Sequence, residues 1–391
     1  MPTPIYFHGA GLCTTQGNTI QQNILALTQP KTPQIIDDHI DQEPIQFPYF
    51  GIKNKVKNAL QHLHQTIDSA IEQALQEADL NTKQISELGL FIGSTSFDIG
   101  CAEALIANSD GSDNIIAQHT PPFTNIAHYI QQRFDIAGPI YSFNTACTAS
   151  ANALIYAAGA IRSGEINQAL VVGIELYNRT TSLGFHGLQL ITRCKSAMRP
   201  FCAGRDGLIL GEGCGALLIS KEKKMLNDNS EFAFIAGANQ TDTFSITSCN
   251  PDGSSIAKVI NQSLGNAKIK PTDIQCIKTH GTASLSNDDA EAAGLIQVFL
   301  NKSTDKIPPI IALKPLLGHT LGACGITELI LFYRALNANV TPTLSIDYDI
   351  DKNFPLNFLS PKQKVQPGYY LLNYFGFGGN NTTLIISNKL T

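Results

Sequence analysis

No run of about 18 consecutive apolar residues occurs in this sequence, and its N-terminus lacks a basic segment followed by an apolar one. Membrane insertion is therefore not expected, and the cytoplasm is the expected compartment. The nine cysteines form no C-x-x-C pair, are odd in number and lie scattered between Cys13 and Cys324. That pattern speaks against a disulfide framework and a structural zinc site. Nine histidines are equally dispersed, so no metal is expected. Charge is scarce at 15 % of residues, and the net charge of -5 offers no general attraction to nucleic acid or anionic lipid. An acidic partner would have to meet a local basic patch. What the chain does have is length and apolar content: 391 residues, 43 % hydrophobic, enough for a large interior arranged as two domains or two structural halves.

The apolar pattern alternates between strands and helices. The first half predicts a strand from Pro4 to Gly9, a short helix from Thr19 to Thr28, and a polar, proline-containing surface loop from Gln29 to Pro48. A helix from Lys53 to Ala78 follows, then buried strands at 88–94 and 169–173 and helices at 124–134 and 148–162. The polar stretch Lys221 to Asn229 is the expected crossing between halves. Beyond it the same grammar returns, with strands at 233–238, 274–278 and 309–313, helices at 254–267, 288–300 and 322–337, and paired strands near 369–375 and 382–387. The expected class is α/β, a mixed sheet covered by helices and present twice. The halves would be 1–228 and 229–391.

Two local features carry open alternatives. Lys53, Lys55 and Lys57 stand at alternate positions where a helix should begin, which fits a solvated helix start or a docking patch for an acidic partner. Cys147, in Ser142-Phe143-Asn144-Thr145-Ala146-Cys147-Thr148-Ala149-Ser150, follows a short strand and precedes a helix rich in small residues. A sulfur at a helix N-terminus is expected to ionise below the free thiol value, because unpaired N–H groups and the helix dipole favour the thiolate. The other reading is a buried structural thiol, since cysteine is among the most buried residue types. The glycines between Gly204 and Gly215 match no phosphate loop and read as tight turns.

Three further stretches narrow the choice: Thr279-His280-Gly281-Thr282-Ala283-Ser284, Leu313-Lys314-Pro315-Leu316-Leu317-Gly318-His319-Thr320, and Asn373-Tyr374-Phe375-Gly376-Phe377-Gly378-Gly379-Asn380-Asn381. With Cys147 they resemble the elongating β-ketoacyl-acyl carrier protein synthases of the thiolase superfamily, and the resemblance runs nearly end to end. It implies the thiolase fold, a duplicated α-β-α-β-α layering with mixed sheets, the nucleophile in the first half and both histidines in the second.

The resemblance also implies a decarboxylative Claisen condensation. Cys147 would hold the acyl chain as a thioester, and His280 and His319 would donate to the malonyl thioester oxygen as the enolate forms. Lys314 and Glu328 match the active-site lysine and the buried acid, expected to fix histidine tautomers. Phe377 matches a gating phenylalanine whose loop also reads as a strand-entry turn. Thr282 and Ser284, with Phe375, Gly376 and Gly378, would contact substrate. No bound cofactor is implied, since phosphopantetheine arrives on the acyl carrier protein, and the chain would act as a homodimer or a heterodimer with a related subunit. Departures from the family pattern fall at Ala283, Asn287, Pro315, Cys202 and Asn380. Those around His280 and at Pro315 leave open a second reading, a chain-length-factor-like partner subunit with little condensing activity of its own.

Overall fold

The computed structural model describes residues 1–40, 42–53, 58–107, 122–223, 231–300, 306–342, 349–360 and 363–389. In chain order its strands are β1 (Ile5–Thr14), β2 (Gln34–Ile40), β3 (Glu43–Phe50), β4 (Gly89–Gly93), β5 (Ile140–Phe143), β6 (Gln168–Glu175) and β7 (Leu210–Gly211). They continue with β8 (Gly213–Ser220), β9 (Ala233–Thr241), β10 (Ile274–Lys278), β11 (Ile310–Ile311), β12 (Tyr369–Gly376) and β13 (Asn380–Ser387).

Ten of these strands form one sheet in the order β11-β10-β12-β13-β9-β1-β8-β6-β4-β5. The order is symmetric about its middle. Moving outward from β1, the first half runs β8, β6, β4, β5; moving outward from β9, the second runs β13, β12, β10, β11. Directions match as well: the outer three strands of each half are parallel and the inner pairings antiparallel. The halves join where β1 meets β9 through Ile5↔Phe234 and Tyr6↔Ala233. The duplication expected from the repeated pattern is therefore present. The 228/229 boundary itself lies outside the described residues.

Helices fill three layers around the two five-stranded arrays. On one outer face the helix Ala59–Ala78 packs on β1 and β8, its buried residues Leu63, Ile67, Ala70, Ile71 and Ala74 recurring every three or four positions. On the other, Ser254–Ala267 packs on β9 and β13 and is flanked by Leu285–Phe299. Between the arrays lie Ala149–Ser163 and Cys324–Asn337, whose apolar residues make the central core. These two helices meet backbone to backbone: a Cβ on Gly325 would stand 2.2 Å from Ala151 N. Glycine and alanine at the crossing are what allow that approach, as the run of small residues after Cys147 suggests.

Some expectations change. Gln29 to Pro48 is not a loop, because β2 and β3 form an antiparallel hairpin and β3 continues in parallel onto β7. Pro44 and Pro48 misled the reading; lying four residues apart, they remove N–H groups on one strand edge only, while Phe47, Tyr49 and Phe50 bury. The helix expected from Lys53 begins at Ala59, capped by the Asn58 side chain, which accepts from Leu60 and Gln61 N–H. Lys55 and Lys57 lie outside the described residues. Among the described residues, no helix is long and apolar enough to cross a membrane.

Candidate active site

β5 ends at Phe143, and the chain turns through Ala146, held at φ 49°, before Cys147 and the helix Ala149–Ser163. A left-handed alanine is strained, so this turn is maintained by its surroundings. Thr148 Oγ1 donates to Thr145 O at 2.7 Å, and Thr148 N–H donates to the same carbonyl. Cys147 ends up buried, at 5 % exposure, at the helix start.

From the second half, His319 follows the short helix Lys314–Leu317. Pro315 stands at the start of that helix, where its missing N–H has no intrahelical partner to lose, which accommodates this departure from the family pattern. His319 Nε2 lies 3.1 Å from Cys147 Sγ. Its Nδ1 accepts the Leu321 N–H at 3.2 Å. A backbone N–H can only donate, so the ring proton resides on Nε2 and points at the sulfur. Lys314 and Glu328 do not set this tautomer, contrary to expectation, because their side chains pair with each other at 2.7 Å.

His280 follows β10 and stands edge-to-face with His319, ring centroids 5.2 Å apart, and against Phe375 at 5.7 Å. Its Nδ1 is buried and has no hydrogen-bond partner among the described residues. Glu291 pins its loop by accepting the His280 and Gly281 N–H groups at 2.9 and 3.0 Å. The departures around His280 resolve locally. Ala283 carries the left-handed conformation at φ 61°, whereas Asn287 is helical and donates to Asp288 Oδ1. Burial, then Lys314, hold both imidazoles well below their ordinary range, so they are neutral donors.

The thiol behaves differently from the sequence expectation. Burial pushes Cys147 up to about 12, outweighing the downward pull of Lys314 and of the Phe377 and Cys147 N–H groups. A helix N-terminus stabilises a thiolate only to the extent that desolvation does not oppose it. The same two N–H groups converge on the sulfur, which makes them donors for an oxyanion formed there. Gly376 permits this: a Cβ there would lie 3.0 Å from Cys147 N.

A narrow cleft opens over these groups. Cys147, His280, His319, Thr282, Ser284, Phe375, Gly376 and Phe377 all line it, and Thr282 and Ser284 share a 3.0 Å hydroxyl contact. Gly378 does not; its N–H is donated to Ile246 O at 2.7 Å. Phe377 stacks on Phe185, centroids 5.5 Å apart and planes within 10°, and Asn380 Nδ2 donates to Phe377 O at 2.9 Å. Lys53 is exposed beside a separate cleft lined by Gly51, Ile52 and His62.

Sequence reading missed Lys278, Glu291, Phe185 and Cys249. Lys278 is fully buried and donates to Glu328 Oε2 at 2.6 Å, and burial lowers it to about 8. A lysine closing the apolar strand Ile274–Lys278 just ahead of His280 was the available signal. Glu291 sits on the helix after His280 with nothing in its spacing to mark it. Phe185 and Cys249 line the cleft from segments that no motif covers.

Residues 26–225 match the family described as Beta-ketoacyl synthase, N-terminal domain, and residues 232–346 match Beta-ketoacyl synthase, C-terminal domain. A 3-oxoacyl-[acyl-carrier-protein] synthase homolog of Saccharomyces cerevisiae is 30 % identical over 351 residues, covering 84 % of this chain and 78 % of the yeast protein. The 3-oxoacyl-[acyl-carrier-protein] synthase 2 of Vibrio harveyi is 26 % identical and covers 96 % of both chains. Among solved structures, a chain of the ketosynthase ApeO in complex with its chain length factor ApeC from Xenorhabdus doucetiae shares the fold. Its TM-score is 0.80, with 22 % identity and 98 % of each chain covered.

Proposed function

Since the chain belongs to the β-ketoacyl synthase family and is a ketosynthase, we propose that it elongates carrier-bound acyl chains, with Cys147 as nucleophile and His280 and His319 as the enolate site. The observation that carries this reading is the 3.1 Å approach of His319 Nε2 to Cys147 Sγ with Nδ1 engaged by the Leu321 N–H.

In the first stage the Cys147 sulfur attacks the thioester carbonyl of the incoming acyl chain. A new C–S bond forms, the bond to the pantetheine sulfur breaks, and the thiol proton passes to that leaving sulfur. The malonyl thioester then occupies the cleft, with Thr282 and Ser284 along its pantetheine arm. Its C–C bond to the carboxylate breaks and carbon dioxide departs, while the electron pair becomes an enolate whose oxygen accepts from His280 and His319. Neutral imidazoles suit this task, since they donate without giving up the proton. The enolate carbon attacks the Cys147 thioester, the Phe377 and Cys147 N–H groups hold the resulting oxyanion, and collapse expels the thiolate, which takes up a proton from solvent. Phe377 gates entry, and phosphopantetheine comes and goes on the carrier protein.

The reading includes an acyl carrier protein as partner, docked through Lys53 with Lys55 and Lys57, and a dimer with a second ketosynthase-type subunit. Nine free thiols fit a reducing compartment such as the cytoplasm. Incubation with malonyl-carrier protein and an acyl donor is expected to yield 3-ketoacyl product and carbon dioxide. Product formation by C147A would sink the proposal.

A chain-length-factor-like role has one observation in its favour, the resemblance to a structure that pairs a ketosynthase with such a subunit. Intact-mass analysis separates the two readings, because stoichiometric acylation of Cys147 in the isolated chain excludes a purely structural subunit.

A further inference from the structure

Lysine is almost never fully buried unless paired. This chain buries two around one carboxylate, Lys278 and Lys314, both at 0 % exposure. Glu328 accepts from Lys278 Nζ through Oε2 at 2.6 Å and from Lys314 Nζ through Oε1 at 2.7 Å. One positive charge in this interior trio is left uncompensated.

The two ammonium groups are not equivalent. Lys278 is saturated: besides Glu328 it donates to Asn373 O at 2.8 Å, and its Nζ stands 3.6 Å from the Tyr374 ring centroid, so each of its three N–H groups has an acceptor. Lys314 has only Glu328 as a hydrogen-bond partner among the described residues. Its charge acts on Cys147, His280 and His319.

We propose that Lys278 is a positioning residue that ties up one oxygen of Glu328, leaves Lys314 half neutralised, and so directs a net positive potential onto Cys147, His280 and His319. The inference rests on the ketosynthase reading of those three residues. It gives the buried pair of lysines a role in the reaction: the potential favours the thiolate and the enolate, both anionic, and disfavours protonation of the histidines.

Among the described residues, none of the other groups facing Lys278 forms an ion pair with it. Cys324, on the same helix as Glu328, is a thiol that burial keeps protonated, and burial likewise keeps Tyr374 on β12 neutral. Glu291, from Leu285–Phe299, spends its carboxylate oxygens on the His280 and Gly281 N–H groups and on Asn373 Nδ2 at 3.0 Å, and among the described residues no hydrogen bond joins it to either lysine. The two histidines are neutral.

The test is carboxamidomethylation of Cys147 by iodoacetamide, followed by peptide mass spectrometry across pH on the full chain, with thermal unfolding alongside. K278M keeps the volume of the side chain, and K278Q keeps donors for Glu328 and Asn373. Both are expected to react about tenfold more slowly than wild type near pH ~7, the effect of removing one nearby charge. The double variant K278M/E328Q restores one uncompensated charge on Lys314 and is expected to recover the wild-type rate. A folded K278M or K278Q that reacts at the wild-type rate would overturn the proposal, as would a folded double variant that stays slow. If no variant folds, wild type decides. Its log rate should rise with less than unit slope above pH ~8 as Lys278 discharges, and a straight unit slope through that range would refute the inference. Condensation by wild type is measured in parallel. A chain that condenses without a Lys278 effect refutes only this inference, and a Lys278 effect in a chain that does not condense refutes only the functional reading.

Discussion

The two halves of the molecule follow one plan and are equipped differently. In the first, β5 leads through the Cys147 turn into the central helix Ala149–Ser163; in the second, its counterpart β11 leads through His319 into the central helix Cys324–Asn337. Matched corners thus present a thiol and an imidazole to each other at 3.1 Å. Each half also buries a carboxylate that accepts backbone N–H groups. Glu175 takes those of Thr95, Ser96 and Gly322, and Glu291 those of His280 and Gly281. Only the second half adds the Lys278, Lys314 and Glu328 cluster. Duplication supplied two facing corners, and they are furnished differently: a thiol on a small-residue helix that backbone can approach, and imidazoles beside buried charge.

The sharpest way to break this division is to remove its two poles separately. C147A should lower condensation at least roughly 10⁴-fold, read as 3-ketoacyl product, since loss of a covalent nucleophile is among the largest single effects. H319A should lower condensation about 10²- to 10³-fold while leaving acylation of Cys147, followed by intact mass, within about tenfold of wild type. Equal loss of both steps in H319A would mean that the halves do not split the work. Between the poles lies the donor pair on the sulfur. G376A puts a methyl group against Cys147 N, so a drop of roughly tenfold or more in condensation is expected, with little change in melting temperature.

Thiol reactivity sharpens the contrast within the first half. Cys194 is exposed, and N–H and hydroxyl contacts from Ser196 lower it, whereas burial raises Cys147. At neutral pH without substrate, iodoacetamide should modify Cys194 well before Cys147, and the Cys147 rate should still be climbing above pH ~9. A plateau for Cys147 below the free-thiol value of about 8.5 would reinstate the helix-terminus argument. The smallest effect belongs to F185A. Loss of its stack on Phe377 should free that ring and cost about 1 kcal/mol of stability, measured by denaturant unfolding.

Much of this was legible in the residues. Val171 and its neighbours read as a strand buried on both faces because that is what they are, and the helix 254–267 was readable to the residue. The hairpin β2–β3 was not, since prolines at positions 44 and 48 look like loop chemistry until the neighbouring strand shows which edge they occupy. Cys147, His280 and His319 stood out through motifs in Gly-containing turns. Lys278 did not, because a lysine at a strand end usually reaches solvent, and only the meeting of β10, β12 and the helix Cys324–Asn337 seals it in.

The sequence by itself determined the alternation of strands and helices, the repeat of that pattern, and the residue types able to perform a condensation. These are local properties, set by periodicity, turn residues and side-chain chemistry. Tertiary structure decided that Cys147 and His319, 172 positions apart, touch. It also decided that the thiol is held high instead of low and that two lysines share one glutamate. Those outcomes depend on desolvation and on charges a few ångströms away, and both are fixed by which distant segments pack together.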